Sequence, residues 1–164
     1  MMMTFFKRGR RSNALQSGEQ GSALVELAVS LPLLTLMLLG AAEFAQFAYV
    51  SIETLNAAHA GAVYAATSHG HVSDSTGITN AAKGDAGNLV GMISVTSVNS
   101  TCTCSDGTNL ANCSDNSTCL ASNTSMITAV TVKTQSTFKP LIRIPGGAST
   151  FTLKGTSTQV VTNQ

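Results

Sequence analysis

Residues 21–44 read GSALVELAVSLPLLTLMLLGAAEF, and their apolar character governs how the rest of the chain is organised. From Ser22 to Ala42 the only charged side chain is Glu26. About 20 apolar residues cross a hydrocarbon core of roughly 30 Å, so the run is long enough to span a bilayer. A carboxylate near the start of such a helix costs roughly 3 kcal/mol on insertion scales, which marks Glu26 as a residue kept for a purpose. Pro32 removes one backbone hydrogen bond and is expected to kink or locally loosen the helix.

On the N-terminal side of the run, residues 1–21 are short, basic and polar, and they read as a cytoplasmic leader. Lys7, Arg8, Arg10 and Arg11 are four of the nine basic residues, and no acid precedes Glu19. Basic residues beside a span stay on the cytoplasmic face, so the C-terminal part is expected on the far side of the membrane. Without residues 1–21 the chain keeps five basic and seven acidic residues, a net charge of −2. That balance gives no electrostatic basis for binding nucleic acid. Only 10% of the residues are charged and the mean hydropathy is +0.21, high for a soluble domain.

Beyond the membrane span at 22–43, helical spacing continues over 44–68. Phe44, Phe47, Ala48, Ile52, Leu55, His59 and Ala62 recur at i, i+3, i+4 and predict one apolar face. Small residues at Ala57, Gly61 and Ala65, and at Ala58, Ala62 and Ala66, would let another backbone approach closely. One helix from 22 to 67 would be about 69 Å long. Residues 69–164 then read as an exported α+β domain. Ile78, Ala81, Ala82, Leu89 and Val90 predict a short second helix, weakened by Gly84 and Gly87. Met92–Val98, Met126–Gln135 and Phe151–Val161 are rich in β-branched residues and predict three strands. Pro140, Pro145 and the Gly146-Gly147 pair interrupt the last two. The expected fold class is α+β, with a long transmembrane and amphipathic helix, a short helix and a small antiparallel sheet of about three strands. So small a sheet needs a helix on its face, and the soluble half of the long helix is the candidate.

Cys102, Cys104, Cys113 and Cys119 all fall in a Ser/Asn-rich segment, 99–124, expected to be a loop. Four cysteines in an exported domain of this size predict two disulfides. A Cys102–Cys104 bridge is disfavoured, because residues i and i+2 of an extended strand point the same way. The nested and crossed pairings both remain open. The spacing C-x-C-x8-C-x5-C lacks the C-x2-C knuckles of structural zinc sites, and no metal or cofactor is expected. His59, His69 and His71 are the only histidines, and no nucleophile elbow, phosphate loop or spaced carboxylate pair occurs. An enzyme is not expected.

Gly21 followed by Ser22-Ala23-Leu24-Val25-Glu26 and an apolar helix resembles a type IV prepilin processing site. More closely, the run from Gly21 to Val50, with NAAHAGAVYAA at 56–66, resembles the TadE-like proteins of the tight-adherence (Tad/Flp) pilus system. The resemblance covers about residues 21–67. It implies cleavage by a prepilin peptidase between Gly21 and Ser22, which would make Glu26 the fifth residue of the mature chain. It also implies a pilin-like fold, pilin or pseudopilin subunits and Tad assembly machinery as partners, and a single-pass protein of the bacterial inner membrane acting in pilus assembly for adhesion. The new amine at Ser22 would meet Glu26 of a neighbouring subunit, a pairing suited to fixing register. Ser22 replaces the Phe usual at the mature start of type IVa pilins, and Leu27 stands where major Flp pilins carry Tyr. Together with the added C-terminal domain, these departures imply a minor pseudopilin. The alternative is an uncleaved single-pass protein whose exported domain binds a partner or surface, with Glu26 snorkelling to water. Ala41, Ala42 and Ala45 leave a signal-peptidase route as a further option.

Overall fold

The computed structural model describes residues 17–89, 91–113, 116–142, 146–147 and 149–161. The basic cluster Lys7–Arg11, Val90 and Pro145 lie outside the described residues. Contacts divide the chain into two units, Met1–Ala42 and Glu43–Gln164.

The long helix α1 runs Ser17–Ala66. It starts earlier than expected and ends within a residue of the expected position. In the first unit it is a plain apolar rod, and the helix is continuous through Pro32. Leu24, Leu31, Leu38 and the other large apolar side chains of this part are exposed. Among the described residues no surface of the first unit covers them, and the helix is long and apolar enough to cross a membrane.

In the second unit the remaining turns of α1 lie on a four-stranded antiparallel sheet. Its strands are β1 Ile93–Cys104, β2 Asn109–Leu110, β3 Met126–Phe138 and β4 Phe151–Val160. Their spatial order is β2-β1-β3-β4. The fold is α+β as expected, with one strand more than predicted. β3 is central and alternates along its length. Thr128, Val130, Val132, Thr134, Ser136 and Phe138 are buried, and the residues between them are less so. That period of two puts one face of β3 against the helix.

Packing corrects the expected helix face. Phe44, Ile52 and Leu55 are 74%, 58% and 51% exposed. The buried seam consists instead of Thr54, Ala57, Ala58, Ala62 and Ala65, with Gly61 among them. Large side chains on this seam would hold helix and sheet apart, whereas small ones let them touch. A Cβ added at Gly61 would lie 3.3 Å from both Ile78 and Val132, and one at Gly155 of β4 would collide with the carbonyl oxygen of Thr54. The close-approach reading of the small residues is therefore the one the domain uses, and its partner is a sheet.

Two apolar clusters fill the space. One joins Ala62 and Ala65 to Ile78, Val130, Val132 and Val161. The other joins Ala57 to Ala82, Ala86, Leu89 and Ile93. Ile78, Ala82 and Leu89 come from the predicted second helix. α2 spans only Ser75–Asp85, and a 3-10 turn at Gly87–Leu89 completes the segment. The same seam of α1 carries a polar clasp. The Thr134 hydroxyl donates to the Thr54 carbonyl at 2.6 Å. The Thr54 hydroxyl donates to the Val50 carbonyl at 2.6 Å and shares a 2.6 Å hydrogen bond with Ser136. Each buried hydroxyl thus has a partner, as burial demands.

Candidate functional site

The candidate residues of the N-terminal segment are carried by one helix. Leu and Ala, both strong helix formers, dominate the run. Gly21 and Ser22 lie inside α1, four and five residues after its first residue. Gly21, Ser22, Val25, Glu26, Val29, Ser30 and Leu33 share one shallow face. This is the i, i+3 and i, i+4 pattern of a single helical surface. Glu26 is exposed there and makes no ion pair among the described residues. Two hydroxyls on the rod are spent on its own backbone: Ser30 donates to the Leu27 carbonyl at 3.2 Å and Thr35 to the Pro32 carbonyl at 2.8 Å. Bonds of this kind hide polar atoms that lipid cannot solvate. Glu26 is left as the one polar side chain of this face able to address another molecule through charge.

Among the cysteines the sequence expectation of a loop over 99–124 is partly overturned. β1 continues to Cys104, so Cys102 and Cys104 stand in a strand, paired with Thr128 and Met126 of β3. β2 lies within the expected loop, with Leu110 opposite Cys102. A short helix α3, Ser117–Ala121, follows. Ladder pairing with the β-branched run of β3 overrides the Ser/Asn/Thr composition of this segment. The bridges are crossed, Cys102–Cys113 and Cys104–Cys119, with Cα separations of 5.3 and 5.4 Å. Residues i and i+2 of β1 face the same side, so both sulfurs meet the segment that folds over them.

The histidines serve the surface of the domain. His59 Nδ1 lies 3.4 Å from the Ser157 hydroxyl and 3.3 Å from Gln159 Nε2. His71 stacks on Tyr64 with centroids 4.5 Å apart and accepts or donates one 2.7 Å bond to Thr67. Among the described residues no three His, Cys, Asp or Glu side chains gather as metal ligands.

Two acidic positions were not singled out from sequence. Asp74 caps α2: Oδ1 accepts from the Gly77 N–H at 2.9 Å, and the Tyr64 hydroxyl donates to Oδ2 at 2.8 Å. The Gly77 amide and then the Tyr64 hydroxyl hold the Asp74 carboxyl below its ordinary range. The same bond, with burial and the neighbouring negative charge, raises the Tyr64 phenol. The signal was present, because Asp before Ser-Thr-Gly is an N-cap pattern. Glu43 is the other. Its Oε1 accepts from the Ile142 N–H at 2.8 Å, a contact across 99 positions of chain that no periodicity announces.

No curated protein and no solved structure matches the chain. The family model described as TadE-like protein matches residues 21–63, the segment that holds Gly21, Ser22, Glu26 and most of the small-residue seam. That match makes the N-terminal segment, 43 of the 164 residues, TadE-like.

Proposed function

We propose that this chain is a minor pseudopilin, processed between Gly21 and Ser22 by a prepilin peptidase, that acts in assembly of a Tad-type pilus. The TadE-like match over residues 21–63 supports an association with that machinery. The observation that carries the finer reading is the uncovered surface of α1. Leu24 to Leu39 expose their apolar side chains in the first unit, and Phe44, Ile52 and Leu55 expose theirs in the second. A helix that keeps its large apolar residues outward while its small ones pack the domain is suited to lying among other helices. Glu26 would fix the register of that packing, since an ion pair in hydrocarbon contributes specificity more than stability. The protein would sit in the inner membrane with its leader cytoplasmic and its disulfide-bonded domain outside. Its role is assembly, not catalysis.

An uncleaved anchor is the second reading. It is favoured by α1 beginning at Ser17, so that the Gly21–Ser22 bond lies within a helix and would have to unwind to enter a peptidase. N-terminal sequencing of the membrane-extracted protein separates the two. A start at Ser22 is expected; a start at Met1 excludes processing, and one near Ala45 points to signal peptidase.

A further inference from the structure

Glu43 is the first residue of the second unit, and its carboxylate is only half used. Oε1 takes the Ile142 N–H, but Oε2 is buried and has no hydrogen-bond partner among the described residues. The side chain forms part of the wall of a cavity of about 390 Å³ whose other walls include Phe44, Phe47, Phe138, Ile142 and Phe151. Phe47 and Phe138 meet edge to face, with centroids 5.5 Å apart, and make a stiff inner wall. Phe44 and Phe151 are exposed at the rim. An ionised oxygen without a donor in apolar surroundings is strongly disfavoured. Phenyl faces attract cations. An oxygen lacking an N–H donor among such rings is complementary to an organic ammonium ion.

Position selects the source. Glu43 directly follows Ala42, the end of the apolar run, and a helix spanning a bilayer from 22 to 42 delivers residue 43 to headgroup depth. Beside the cavity, Leu141 and Ile142 also expose apolar surface, which water disfavours and an acyl–headgroup boundary accepts. We propose that this cavity binds the ethanolamine headgroup of a phospholipid, its primary ammonium donating to Glu43 Oε2 against the phenyl rings. Phosphatidylcholine offers the charge without an N–H, and phosphatidylglycerol offers no cation. The inference rests on the reading of α1 as a membrane span.

The test uses the full chain in nanodiscs of phosphatidylglycerol alone, or mixed equally with phosphatidylethanolamine or phosphatidylcholine. Native mass spectrometry then reads the lipid retained after mild detergent extraction. Retention of phosphatidylethanolamine is expected to exceed that of either other lipid by about tenfold, the value of one charge-assisted hydrogen bond. Glu43→Gln, which keeps the acceptor for Ile142, is expected to remove the preference. Equal retention of the three lipids, or an unchanged preference in Glu43→Gln, overturns the proposal. Arg143 follows Ile142 in sequence and lies outside the described residues; loss of the preference in Arg143→Gln as well as in Glu43→Gln would make Glu43 an internal ion-pair partner and also overturns it. So does carbodiimide cross-linking of Glu43 to a lysine of a co-purifying polypeptide without lipid preference. Carbonate extraction, done in parallel, reports membrane insertion by itself, so failure of the span and failure of the headgroup site are distinguishable.

Discussion

At the scale of single residues, glycine and threonine carry more of this domain than its aromatic residues do. Gly155 lies where β4 passes under α1, and any side chain there meets the Thr54 carbonyl and the Thr134 hydroxyl. Gly155→Ala is expected to destabilise the domain by about 1–3 kcal/mol through overpacking, measured by urea unfolding. Tyr64 and Asp74 form a second such point. Asp74 titrates lower in the folded chain than in the unfolded one, so its contribution to stability is complete above the ordinary aspartate value of about 3.9 and is lost as pH falls through the lower folded value. The Tyr64 phenol is raised, so its contribution is complete below about pH 10 and is lost as pH rises beyond that. Tyr64→Phe should therefore lower the melting temperature at neutral pH. The gap to the parent should close both at strongly acid pH and at pH above the raised folded value of the phenol. A gap independent of pH would show that the Tyr64–Asp74 bond contributes nothing.

At the scale of elements, β1 depends on partners remote in sequence. Its Cys-containing end pairs with β3 on one side and with the two-residue β2 on the other, and so short an edge strand has little hold of its own. The crossed bridges close loops of 11 and 15 residues, worth roughly 3 kcal/mol each on loop-closure grounds. The double variant Cys104→Ser/Cys119→Ser should lose about 2–4 kcal/mol. Amide exchange should rise first in β2 and α3, while β3 stays protected. Uniform exchange across the sheet would contradict the tying role given to this bridge. The helix–sheet clasp allows a similar check. Thr54→Val removes the partner of the Ser136 hydroxyl but keeps the Thr54 carbonyl, so a loss of about 1–2 kcal/mol is expected.

For the whole molecule, contacts divide the chain at Ala42/Glu43, and the two parts of α1 are surfaced differently. Before it, α1 shows large apolar side chains on all sides; after it, α1 buries a seam of small ones. Glu26→Gln should therefore leave the folded domain unchanged, with the same melting temperature in detergent and the same membrane recovery, while abolishing pilus assembly. Assembly at parental levels in that variant would remove Glu26 from the register-fixing role and favour the uncleaved anchor.

How much was legible in advance follows from the range over which each interaction acts. The apolar run, the basic residues before it, the period-two alternation of β3 and the presence of two disulfides are local in sequence, and they determined the α+β class and the long helix. Residue spacing also exposed the small-residue positions on α1. It could not say that the sheet would choose that seam over Phe44, Ile52 and Leu55, because both stripes are helical and the choice depends on how closely β3 and β4 must approach. Pairing with β3 drew Cys102 and Cys104 out of their polar segment into a strand, and the segment that folds over that strand brings Cys113 to Cys102 and Cys119 to Cys104. Glu43 owes its half-filled hydrogen-bonding to Ile142, far along the chain. The sequence by itself determined the membrane-length run, the long helix, the second helix and three of the strands, but not β2, α3 or the Cys-bearing end of β1. Only the tertiary structure decided which faces meet, since contact between distant residues depends on shapes that no single segment carries.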